Sequence, residues 1–424
     1  MGKPRYCTLF FVVLIFIGVL IPLASASSFS DEPSGFKHKG RVKFQLEYGW
    51  SILSSSSVPQ TFEMWIPRIS NHSHPSMTGT APVQSSLVVS NTTNMIPDVY
   101  VYNPQDDYHN SVEYFSVTVN PGEEFQYRIT YNLTLRETDW TIREREEGEF
   151  DTDNPIYQNL TGAEINLNVN NPTLVSLSNS ICEGKTSIKD KVNAVVKWMN
   201  KNLEFTGSQP SVGAYATYVA GGGDCSDFAT FFVTMLRIQG IPARKCVGMQ
   251  VWNYEKQEMY YNLKVGQHIS YSSYKLGSIY QAGVPGHAWA EYYVPNYGFV
   301  SLDPTFARTN KLKYMNFMDY TYILSSIGEN IGGGFDPAPA SNVIEWGILP
   351  YISNPSTTNW AISLQFTVLE AERLLVLPEW AFIVIVGGPV STIGFTIMLL
   401  IRRKRKKKSE LSKKVDTIPE DIEK

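Results

Sequence analysis

The sequence predicts an exported α+β protein: a strand-rich first part, a mixed helix-and-strand core, and one apolar span near the C-terminus. Three observations predict it. From Lys39 to about Pro172, short β-branched and aromatic runs are separated by Pro, Gly, Asn and Asp. At Thr186 the apolar spacing changes from the strand period to the helical one. Uncharged apolar runs stand near both ends of the 424 residues.

The N-terminus, "MGKPRYCTLFFVVLIFIGVLIPLASAS", has basic residues, an apolar run and a small-residue site at Ala24-Ser25-Ala26, the pattern of a signal peptide over 1–26. Cleavage after Ala26 and retention as a signal anchor are the two readings, and both export the body of the chain. Residues 36–172 carry "VKFQLEYGW", "QTFEMWIP", "SLVVS", "DVYVYN", "YFSVTV" and "EFQYRITYNLTL", which predict an antiparallel β-sandwich-like domain. It holds no clustered acids or histidines, so it reads as a positioning or recognition module. His72 and His74 in "NHSHP" offer only two ligands on a loop, too few for a metal site, and neither a metal nor a cofactor is expected.

Residues 173–335 form the mixed core. "SIKDKVNAVVKWMNKNLEF" sets Val192, Val195, Val196 and Met199 on one helical face. Residues 336–378 read as a linker rich in turn residues, with an extra strand in "ISLQFTVLEAERLLVLP". The uncharged run over 379–401 is long enough to cross a bilayer as a helix, and "RRKRKKK" opens a basic tail, 402–424, that belongs on the cytoplasmic side. That tail from Arg402 holds ten Lys/Arg against five Asp/Glu, so with a whole-chain charge of −4 the preceding body carries −9. Such a body is a poor partner for nucleic acid. Sequons at Asn71, Asn91, Asn132 and Asn159 fit an exported glycoprotein.

The chemistry is concentrated in "GGGDCSDFATFFVTMLRIQGIPAR", Gly221 to Arg244. Asp224 is a plausible N-cap, Asp227 lies in the first turn, and Gly240 with Pro242 ends the helix. Cys225 therefore sits at a helix tip, where free N–H groups and the helix dipole favour a thiolate. Asp224 and Asp227 oppose that charge, so a partner cation is required. In "GHAWAEYYVPNYGFVSLDPTF", strand alternation through His287, a turn near Pro295 to Gly298 and the returning "FVSLD" bring Asp303 back beside His287. A carboxylate holding an imidazole within reach of a thiol is what nucleophilic thiol catalysis requires. Loss of Cys7 with the signal leaves Cys182, Cys225 and Cys246, an odd count that leaves one thiol free.

"GGGDCSDFATFFVTMLRIQGIPAR", "GHAWAEYYV" and "GFVSLDPT" resemble the three signature blocks of the transglutaminase-like superfamily, over roughly Ser187 to Arg308. The resemblance implies a papain-like core with Cys225 as nucleophile, His287 as general base and then acid, and Asp303 orienting the imidazole. The strand-rich segment ahead of it is similar to the β-domain of many microbial members. Two features depart from the family: the 62 positions from Cys225 to His287 include a Tyr-rich insertion, "WNYEKQEMYYNLKVGQHISYSSYKLGSIYQAGVPG", and no upstream Trp or Gln matches a second oxyanion donor. The insertion reads either as a wall of the substrate cleft or as a surface hairpin.

The expectation is an extracytoplasmic thiol acyl hydrolase or acyltransferase, tethered to the cell membrane by one C-terminal helix. It would act on a protein or peptide substrate, cell-envelope polymers included, through a Cys225 acyl-thioester. Hydrolysis is favoured over cross-linking, because an exposed cleft meets water unless the fold excludes it. A catalytically idle binding module on the same fold is the alternative.

Overall fold

A computed structural model describes residues 36–72, 82–105, 108, 110–207, 213–307, 314–329, 350–353 and 358–373. The expected signal peptide, membrane helix and basic tail lie outside the described residues, as does His74. Among the described residues no helix is long and apolar enough to cross a membrane.

The first strands are β1 (Phe36–Leu53), β2 (Gln60–Pro67), β3 (Gln84–Thr93), β4 (Val99–Gln105), β5 (Ser111–Val119) and β6 (Glu124–Trp140). Then come α1 (Pro155–Thr161), α2 (Pro172–Ile181), α3 (Ile188–Asn202), β7 (Glu204–Phe205), α4 (Ala214–Ala220), β8 (Gly222–Gly223) and α5 (Cys225–Ile238). The remainder is β9 (Ala243–Gln250), β10 (Trp252–Asn253), β11 (Glu258–Met259), β12 (His268–Leu276), β13 (Ile279–Gln281), β14 (Gly286–Val294), β15 (Gly298–Leu302), β16 (Phe317–Met318), β17 (Tyr322–Ile327), β18 (Tyr351–Ile352) and β19 (Asn359–Arg373).

The largest sheet runs β13-β12-β19-β1-β6-β16, with β3 also on β6, and every pairing in it is antiparallel. Its inward face follows from period-two patterning: Val42, Phe44, Leu46, Tyr48, Trp50 and Ile52 of β1 are buried, as are Phe125, Tyr127, Ile129, Tyr131, Leu133 and Leu135 of β6. Each such side chain contributes about 1.5–3 kcal/mol on burial, and a one-residue slip would turn the whole set to solvent. A second antiparallel sheet, β18-β2-β5-β4, supplies Phe62, Met64, Ile66, Phe115, Val117 and Val119 to the same apolar cluster.

Segments far apart in the sequence share these sheets. β12, from the Tyr-rich insertion, pairs with β19, and β19 pairs with β1. The run "ISLQFTVLEAER" is thus an interior strand of the largest sheet rather than an appendage. Of the sequons, Asn159 is exposed on α1 and Asn91 is exposed on β3, where its amide also donates to the buried Glu113 at 3.2 and 3.4 Å.

A second core surrounds α5, whose residues from Asp227 to Arg237 are all buried. Phe228, Phe231, Phe232, Met235 and Leu236 pack with Val192, Val195, Val196 and Met199 of α3, and with Trp289, Ala290 and Tyr292 of β14. The third large sheet, β15-β14-β9-β17, lies against this helix.

Candidate active site

The three glycines before Cys225 have a steric cause. Gly221, at φ 71°, ends α4 in the left-handed region. β8 then runs beside β7 so closely that a Cβ on Gly222 would lie 2.0 Å from the Glu204 carbonyl oxygen, and one on Gly223 2.2 Å from the Asp227 carboxylate. Only glycine fits there, and the close approach delivers the chain to the helix start. Asp224 caps α5 by accepting from the N–H groups of Ser226 (2.9 Å) and Asp227 (3.1 Å), while Asp227 accepts from the N–H of Asp224 (3.1 Å). Cys225 is the first helical residue, partly buried, and packs against Ala229, Val247 and Ala288.

His287 comes from β14, opposite Gly248 of β9, the strand that carries Val247 under α5. β14 turns through Pro295 to Gly298 into β15, with Ala290 opposite Leu302, so the hairpin returns Asp303 to the His287 end. His287 Nε2 lies 2.6 Å from Asp303 Oδ2. Asp303 is itself held: Oδ1 accepts from the N–H groups of Thr305 (2.9 Å) and Phe306 (3.2 Å), and Oδ2 accepts from the Tyr322 hydroxyl (2.7 Å). Cys225 lies close enough to His287 to favour the charged form of its ring. Since Nε2 faces Asp303, Nδ1 is the nitrogen left for the thiol. The structure therefore brings Cys225, His287 and Asp303 into one connected cluster.

The electrostatics match that geometry. Burial works against charge on His287, but the Asp303 carboxylate, by its field and hydrogen bond, and then Cys225 outweigh it, raising the imidazole to about 10. Asp303 thus favours the charged form of the ring over the neutral one. Burial pushes the Cys182 thiol up, and burial with Glu291 pushes Cys246 up. Both are buried and free of disulfides, so Cys225, the partly exposed thiol, differs from them in both access and partners.

The neighbours of this cluster differ in how far the sequence signalled them. Tyr322 OH reaches Asp303 from β17, and the His287 ring is walled by Trp289 (6.4 Å between centroids), Phe306 (5.4 Å) and Tyr322 (5.8 Å). Trp289 was legible as the next same-face residue of β14, whereas Tyr322 lies 35 positions after His287 on a separate strand. The Tyr-rich insertion resolves into two parts. Its base abuts the site: Trp252 stacks on Phe306 at 6.3 Å, and Tyr261 and Tyr314 share a hydroxyl contact of 2.9 Å. Its far part enters the large sheet as β12 and β13. An open groove of about 630 Å³ runs along 253–267 and is lined by none of the three cluster residues.

His72 is not a free ligand: its Nε2 lies 2.8 Å from Glu291, which also takes Arg244 at 2.7 Å. Among the described residues, no three His, Cys, Asp or Glu side chains are grouped to hold a metal ion.

A model of the transglutaminase-like superfamily matches residues 175–304. No curated protein matches the sequence. Among solved structures, a candidate cysteine protease from Cytophaga hutchinsonii is 13% identical, with 81% of this chain and 96% of that one covered and a TM-score of 0.49. The periplasmic domain of TgpA from Pseudomonas aeruginosa is 13% identical over 66% of this chain and 95% of that one, with a TM-score of 0.30. Red sea bream transglutaminase is 13% identical over 59% and 46%, with a TM-score of 0.24. Residues 175–304, which hold Cys225, His287 and Asp303, belong to the transglutaminase-like superfamily.

Proposed function

We propose that the protein is a thiol acyl hydrolase or acyltransferase acting on a peptide or carboxamide carbonyl, with hydrolysis as its main outcome. The observation that carries this reading is the buried His287–Asp303 pair at 2.6 Å, with the helix-tip Cys225 packed beside it against Val247 and Ala288. Cys225 attacks the carbonyl carbon as a thiolate, and the imidazolium gives its proton to the leaving amine, which departs as the acyl-thioester forms. His287, now neutral, takes a proton from water, whose oxygen attacks the thioester. The acid is released and the thiol restored. Asp303 fixes the ring and stabilises its charged form. The cap takes the N–H groups of Ser226 and Asp227 but not that of Cys225, which serves as one donor to the oxyanion.

The body is placed outside the cytoplasm, anchored to the cell membrane by the 379–401 span, with protein or peptide as substrate. The observations that support this placement are the apolar 1–26 segment and the basic run after Ile401.

The test offers a peptide or Gln-containing acyl donor with and without a primary amine. Free acid or a cut chain, abolished by Cys225→Ala, is the expected result, and an amine adduct would reassign the enzyme as a transferase. Absence of any thioester, with ligand binding unaffected by Cys225→Ala, would overturn the enzymatic reading in favour of a binding module. The topology is tested separately: protease added to intact cells should digest the body and spare an epitope at Lys424, and loss of that epitope would reverse the orientation.

A further inference from the structure

A buried cation lies beneath the first turn of α5 that the proposed reaction does not use. Lys245, on β9 and 1% exposed, donates from Nζ to Ser226 Oγ (2.6 Å) and Thr230 Oγ1 (3.2 Å), and meets Glu329 Oε2 at 3.5 Å. Glu329, equally buried, also accepts from the Thr230 hydroxyl and from Asn166 Nδ2 (3.3 Å). The pair has a direction. Lys245 reaches Ser226, the residue after Cys225, whereas Glu329 bonds Thr230, one helical turn further in. The positive end therefore faces the turn that carries the thiol.

That turn also carries two carboxylates, Asp224 and Asp227, joined in the capping box. Like charge disfavours a thiolate, and His287 offsets it from one side only. We propose that Lys245 is a positioning residue for Cys225: its ammonium locks the first turn of α5 onto β9, and its charge offsets the cap carboxylates from beneath. The inference rests on the reading of Cys225 as nucleophile.

Among the described residues, charged groups around this turn include His287 on β14, the N-cap Asp224, Asp227 on α5, and Glu329 past the end of β17. Beyond Glu329, Glu164 accepts from the Glu329 N–H (3.2 Å) and is paired with Arg237 (2.5 Å). Lys245→Met removes a positive charge beside this turn and Glu329→Gln a negative one, so the two substitutions should act in opposite directions.

The experiment is the pH profile of Cys225 alkylation by iodoacetamide, measured on the folded full chain with turnover alongside. Lys245→Met should move the midpoint up by about one pH unit, a tenfold loss of rate below the midpoint. Glu329→Gln should move it down, and the double variant K245M/E329Q should return it toward wild type. The double variant replaces both charges, so it keeps the test decisive if a single one fails to fold. An activated wild-type thiol whose midpoint is the same in Glu329→Gln and in the double variant, or moves the same way in both single variants, overturns the proposal alone. A wild-type Cys225 that alkylates like an ordinary cysteine overturns the nucleophile reading, and this inference with it.

Discussion

Strand β14 carries half of two buried histidine–carboxylate pairs, four residues apart, and their fates differ. His287 meets Asp303 at 2.6 Å, and His72 meets Glu291 at 2.8 Å. Glu291 is shared: Arg244 binds it at 2.7 and 2.9 Å, and the Ser301 hydroxyl at 3.2 Å. That pair ends in a closed knot tying His72, from the first part of the chain, to β14 and β9. Asp303 takes one imidazole and otherwise neutral donors, and its imidazole continues to a partly exposed thiol at a helix start. A buried histidine–carboxylate pair is thus not a site by itself. In the proposed reading, the site is where such a pair ends beside a partly exposed thiol.

Substitutions at the two pairs should separate chemistry from stability. Asp303→Asn leaves the imidazole held by an amide in the wrong tautomer, and turnover should fall by roughly 10⁴-fold, read as kcat on protein whose folding is checked by circular dichroism. Glu291→Gln should do the reverse. It leaves Arg244 and His72 without their carboxylate, at a cost of about 3 kcal/mol in urea unfolding, while turnover per folded molecule is unchanged. If Glu291→Gln silenced the enzyme as Asp303→Asn does, the distinction between knot and site would fail.

The pH dependence of stability sharpens the contrast. The folded-state pKa of His287, about 10, stands above the ordinary 6.5, so its contribution to stability is fully present below pH 6.5 and lost as pH rises through about 10. Wild type should therefore lose more stability between pH 7 and pH 10 than His287→Gln, measured by urea midpoints. Equal losses would show that Asp303 does not hold an imidazolium. The smallest effect is expected at Tyr322→Phe, which deletes one hydroxyl bond to Asp303 at a cost of about 1.5 kcal/mol, a roughly tenfold reduction in turnover.

What the sequence revealed was local. The helix cap, Cys225 in the first turn and the hairpin returning Asp303 to His287 each rest on contacts within about 20 residues, where turn residues and periodicity leave a record. The packing stripe of α3 was equally legible, and its four apolar residues are each buried to 1% exposure or less. What was hidden was long-range pairing. Nothing in "HISYSSYKL" states that it pairs with a strand more than 80 residues later, so the shared sheets could not be read from composition. Tyr322 and Lys245 escaped for the same reason. In "ARKCVG" a lysine between strand residues suggests a solvated position, and only the fold brings Glu329 and Thr230 to cover it.

Activation of Cys225 by His287 is the central claim. The most direct measurement is the rate of iodoacetamide alkylation at Cys225 between pH 5 and 9, located by peptide mapping, in wild type and His287→Ala. The buried Cys182 and Cys246 should stay unlabelled in the folded protein. Wild type should react at pH 6 well above the rate of a thiol with an ordinary pKa of about 8.5, and His287→Ala should lose that advantage. A wild-type profile with its midpoint near 8.5, unchanged by His287→Ala, would contradict it.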